Sequence, residues 1–140
     1  MKILEIGKVD LASLCYLNKE RYPFLLESVN HNDNNRYSIL FAFPEKNIVL
    51  YNFTDFNFLN KLEYQYKSNN IYTNLPFSGG WFVYLSYELI GQIEPILSKE
   101  LCTSELPIAY AVKIPSAIII DHKINSTYIC LLYTSAAADE

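Results

Sequence analysis

Residues 109–132 read AYAVKIPSAIIIDHKINSTYICLL. This stretch holds three apolar runs of strand length, Ala109–Ile114, Ala117–Ile120 and Tyr128–Leu132. They are rich in Ile, Val and Tyr, and are punctuated by Pro115 and by the polar turn Asp121-His122-Lys123-Ile124-Asn125. β-branched and aromatic residues in short runs bounded by turn formers read as strands. A link of that length suits an antiparallel hairpin and falls well short of the dozen or so residues that a parallel crossover needs.

Working outward, the same signature recurs at Phe24–Leu26, Tyr37–Phe43, Ile48–Phe53 and Trp81–Leu85, making seven expected strands. The link Pro44-Glu45-Lys46-Asn47 predicts a second hairpin between Tyr37–Phe43 and Ile48–Phe53. Helices are fewer. Asp10 suits an N-cap, and Leu11, Leu14 and Cys15 give an amphipathic pattern over Leu11–Arg21 that stops before Pro23. A second helix is expected after Thr54 or Asp55, running through Phe56, Leu59 and Leu62 to about Tyr66, and a short third within Tyr87–Ile93. The fold class expected is α+β, with antiparallel, sandwich-like β-sheets and two or three packed helices. Asn30–Asn35 (NHNDNN) and Ser68–Asn74 read as polar loops.

With 140 residues, of which 51% are hydrophobic, the chain is long enough for one cored domain. We expect a single domain over 1–133 and a tail or linker start over 134–140. A net charge of −4 and only two arginines supply no positive field for phosphates, so nucleic acid is not expected as a partner. Cys15, Cys102 and Cys130 form no CxxC pair, which argues against a disulfide framework or zinc site. No run approaches the roughly 18 apolar residues of a membrane span, and Glu5 and Asp10 interrupt any leader-like start. The expectation is a cytoplasmic protein that does not engage a membrane.

Self-contained catalytic chemistry finds little support. His31 and His122 both fall in polar turn segments, where a solvated histidine is the ordinary reading. Ser13, Ser28, Ser86 and Cys15 lack a nucleophile-elbow pattern. Gly79-Gly80 precedes a strand rather than a helix, so it reads as a backbone device and not a phosphate cradle. Glu88 and Glu94, six positions apart, would diverge by about 120° on a helix.

Three segments, taken in order, resemble a known family. They are YPFLLES (22–28), RYSILFAFP (36–44) and LPFSGGWFVYLSYEL (75–89), followed by Leu106-Pro107 and Asp121-His122. Together they resemble the N-terminal domain of the chorismate-using synthases, over about Tyr22 to His122. The R-[FY]-x-I-x-x-A-x-P pattern looks more like aminodeoxychorismate synthase component I than anthranilate synthase component I. The resemblance implies a part in 4-amino-4-deoxychorismate formation for p-aminobenzoate and folate synthesis, with an N-terminal portion of an anthranilate synthase, or a stand-alone amino-acid-binding module, as alternatives. It also implies two partners, a glutamine amidotransferase subunit and a C-terminal chorismate-binding domain that holds the family's Mg²⁺. No P-I-K-G-T segment is present, so no catalytic residue is carried over, no cofactor is expected in this chain, and the chain alone is expected to be inactive. What does carry over is an L-tryptophan-like pocket at Leu26, Glu27 and Ser28, with Arg36 and Tyr37.

Overall fold

The computed structural model describes residues 1–29, 35–66, 72–100 and 105–132. In chain order the strands are β1 (Lys2–Ile6), β2 (Phe24–Leu26), β3 (Tyr37–Ala42), β4 (Asn47–Leu50), β5 (Gly80–Leu85), β6 (Ala109–Ile114), β7 (Ser116–Asp121) and β8 (Ser126–Leu131). The α-helices are α1 (Leu11–Leu17), α2 (Phe58–Gln65) and α3 (Ile90–Ile93); a 3₁₀ turn at Tyr87–Leu89 leads into α3 and another follows at Pro95–Glu100. The α+β class with antiparallel sheets is what the molecule adopts. Most of both expected polar loops and the 134–140 tail, together with His31 and Cys102, lie outside the described residues.

The chain divides into two compact units, one of Met1–Glu45, Asn69–Gly80 and Ile114–Glu140, the other of Lys46–Ser68 and Trp81–Lys113. The first is built on a sheet of order β1-β8-β7-β3-β2. All four of its pairings are antiparallel, with Leu40 opposite Ile118 and Ile118 opposite Ile129. Alternation along β3 sends successive side chains to opposite faces. Leu40 joins Leu11, Ile118, Leu25 and Ile129 on the face covered by α1, while Tyr37 and Ile39 pack with Ala117, Ile119, Cys130, Leu75 and Phe77 on the other. The Phe41 and Phe77 rings meet edge to face at 5.0 Å. Burial on both faces explains why β7 reads as a continuous apolar run.

The second unit holds a sheet of order β4-β6-β5. Its core gathers Ile48, Leu50, Phe58, Leu89, Ala109 and Ala111, with Leu62 and Trp81 packed against them. Gln92 fastens this unit. Its Oε1 accepts from the Phe58 N–H at 3.0 Å, and its Nε2 donates to the carbonyls of Phe53 and Phe56 at 3.2 and 2.7 Å.

Four local outcomes differ from the sequence expectations. β1 was not foreseen; it is an edge strand carrying Lys2 and Glu5, and such charges blunt an open edge while they mask the strand signal. The helix expected over Leu11–Arg21 ends at Leu17, because the Asn18 side chain accepts from the Arg21 N–H at 3.0 Å and forms a competing turn. Asn57, rather than Thr54 or Asp55, caps α2, since Asn52 already holds the Thr54 N–H and hydroxyl. The hairpin expected across Pro44–Asn47 does not form. β3 has β2 on one edge and β7 on the other, so β4 pairs instead with β6. Phe43 turns the chain away at φ +58°, its N–H bonded to the Arg21 carbonyl at 2.9 Å, and Pro44 follows. At Gly79 φ is +93°, and a Cβ there would stand 2.9 Å from Leu132 Cδ2, so both conformation and space call for glycine.

Candidate functional site

The expected site residues lie where the β2–β3 pairing runs out. Leu26 pairs with Ile39, the last partners of that ladder. Carrying the register on by two residues sets Ser28 opposite Tyr37. There the side chain replaces the ladder, with Ser28 Oγ donating to the Tyr37 carbonyl at 2.7 Å. The Ser28 N–H turns instead to Ser38 Oγ, at 3.1 Å.

Arg36 reaches Asp121 through both Nε and Nη2, at 2.8 and 2.6 Å. This two-point geometry is the strong form of a guanidinium–carboxylate pair. Asp121 is buried, at 2% exposure, whereas Arg36 keeps 36% of its side-chain surface open. The hydrogen bond from Arg36 holds the Asp121 carboxyl below its usual range, against the opposing effect of burial. The Lys123 N–H adds a further bond to Asp121 Oδ1 at 3.0 Å. The Arg36 guanidinium also lies over the Tyr37 ring, 4.9 Å from its centre.

The sequence reading had His122 solvated in its turn. In the structure it is half-buried, its N–H donates to the Arg36 carbonyl at 2.9 Å, and its Nε2 stands 2.8 Å from Ser38 Oγ. Ser38, at 1% exposure, faces the α1 side of the sheet with Leu40. A serine–histidine contact inside the sheet is no exposed nucleophile, but it ties the turn after β7 to the end of β2.

Of the expected site residues, the fold joins Ser28, Tyr37 and Arg36 through direct contacts. Leu26, 52% exposed, and the exposed Glu27 border that group without belonging to it. Sequence reasoning missed Ser38, Asp121 and His122 as parts of one constellation. Register alone brings Tyr37 opposite Asp121, and a strand pairing eighty residues apart leaves no local signal. Among the described residues there is no group of three or more His, Cys, Asp or Glu arranged to hold a metal, and no helix is long and apolar enough to cross a membrane. No protein-family model and no curated protein matches the chain.

Proposed function

We propose that the chain is the N-terminal portion of an aminodeoxychorismate synthase component I and that it holds an aromatic amino acid, L-tryptophan by its chemistry, beside Ser28. The observation that carries the reading is the direction of the Ser28 hydrogen bond. Its proton is committed to the Tyr37 carbonyl, so the oxygen keeps only acceptor capacity toward a ligand. An acceptor hydroxyl suits an ammonium group and disfavours a carboxylate. Arg36, which would otherwise attract the ligand's carboxylate, is neutralised by Asp121. Leu26 and the Tyr37 ring offer apolar surface for an indole. The R-Y-S-I-L-F-A-F-P segment is the reason for preferring the aminodeoxychorismate enzyme to anthranilate synthase.

Titration calorimetry with three probes tests the reading. L-tryptophan and tryptamine, which carry the ammonium, bind; indole-3-propionate, which lacks it, does not. Ser28→Ala weakens tryptophan binding about ten- to a hundredfold, the equivalent of one hydrogen bond to a charged group. Binding of indole-3-propionate as tight as that of tryptophan, or an unaffected Ser28→Ala chain, removes the assignment.

A further inference from the structure

We infer that Ser38 and His122 are positioning residues for this site, acting through Ser28, and that the neutral imidazole is the competent state. The inference rests on the amino-acid-binding reading above and adds the element that tunes it. Ser38 Oγ stands between the Ser28 N–H at 3.1 Å and His122 Nε2 at 2.8 Å. Ser28 is thereby held at two points, its N–H by Ser38 and its hydroxyl by the Tyr37 carbonyl. The backbone ladder has already ended at Leu26, so these side-chain bonds set where the Ser28 oxygen points.

A serine hydroxyl has one proton and two lone pairs. With His122 neutral and Nε2 unprotonated, Ser38 donates to Nε2, and that donation strengthens its oxygen as acceptor for the Ser28 N–H. With His122 protonated, Nε2–H donates to Ser38 instead. The same oxygen then accepts from both neighbours, and its hold on Ser28 weakens. Among the described residues, the charged side chains on the segments around His122 are Glu27 beyond β2, Arg36 before β3, and Asp121 and Lys123 on either side of it. Arg36 stays cationic, and the pair it forms with Asp121 keeps that carboxylate ionised, so neither accounts for a change near neutral pH.

The test measures L-tryptophan affinity from pH 5.5 to 8 in the native chain, His122→Gln and Ser38→Ala. Glutamine keeps a polar atom near the Nε2 position and cannot acquire charge. The native chain loses affinity about three- to tenfold as pH falls through an imidazole titration. His122→Gln shows a flat profile, and Ser38→Ala binds more weakly at every pH, also with a flat profile. An unchanged pH dependence in His122→Gln, or native affinity in Ser38→Ala, overturns the inference. A second readout needs no ligand: the Ser28 amide resonance of the free chain titrates with the His122 ring in the native protein and not in Ser38→Ala. If no variant binds tryptophan, the functional reading fails, and the Ser28 amide titration alone decides the positioning role. A Ser28 amide that ignores the ring's titration refutes it.

Discussion

Arg36 and Asp121 show how much one side-chain pair can hold. The carboxylate is buried and the guanidinium a third exposed, so removing the arginine strands a negative charge inside the sheet. For Arg36→Ala we expect a loss of about 2–3 kcal/mol, somewhat below the cost of breaking a fully buried pair, measured by urea denaturation at neutral pH. The acid behaviour follows from linkage. Asp121 has its folded pKa depressed, so its stabilising contribution is complete above the ordinary carboxylate value of 3.8 and is lost as pH falls below that toward the folded value. Without Arg36, only the Lys123 and Ile124 N–H groups oppose burial, so the folded pKa of Asp121 lies higher than in the native chain. The acid unfolding midpoint of Arg36→Ala therefore moves to higher pH than the native one; a midpoint moving lower contradicts the pairing. Asn125, at φ +55° in the β7–β8 turn, is the residue-scale feature most open to sequence reading, because asparagine tolerates the left-handed region better than other non-glycine residues.

Among the elements, the strands from β2 onward and the Asp10 cap of α1 were legible, while the other helix boundaries were not. Ile, Val, Tyr and Phe runs marked β2 through β8, because period and β-branching are local properties. Caps depend on which of several nearby Asn, Asp and Thr side chains wins. Asn18, Asn52 and Asn57 each outcompeted or displaced the expected boundary by bonding a backbone N–H within three residues. The N-terminus of α2 also depends on Gln92, thirty-four positions away from Phe58 in sequence. Gln92→Ala leaves the Phe58 N–H and the carbonyls of Phe53 and Phe56 without this partner. Two or three half-buried hydrogen bonds predict a loss of about 2–3 kcal/mol, read from the denaturation midpoint. The near-ultraviolet signal of Trp81, in the same core, should weaken in the pretransition region. A variant as stable as the native chain would show that solvent replaces Gln92 at no cost.

At the scale of the whole molecule, the decisive feature is that sequence neighbours are dealt to different sheets. The chain leaves the five-stranded sheet at Phe43-Pro44 and returns to it through Pro115, and a proline, lacking an N–H, suits a place where one ladder stops and another begins. Its order β1-β8-β7-β3-β2 puts the last two strands in sequence between the first and the third. A chain ending at Lys113 therefore loses β7 and β8 and leaves β1 unpaired and β2–β3 as a bare two-stranded hairpin, which is marginal in water. We expect such a chain to lose the dispersed methyl resonances of Leu11 and Leu40; native-like shifts at those positions would refute the topology's role.

What the sequence by itself determined was the kind of element at most places, β1 excepted, and the α+β class. Strand periodicity, turn chemistry and the apolar runs act over a few residues and are written in consecutive letters. Which strands became neighbours was decided only in the tertiary structure, because edge availability is a global property: β4 could not pair with β3 once β2 and β7 had taken both its edges. The same holds for the site. L-L-E-S and R-Y were visible as segments, but the meeting of Ser28, Ser38 and His122, and of Arg36 with Asp121, required the β3–β7 register to bring distant residues within hydrogen-bond reach.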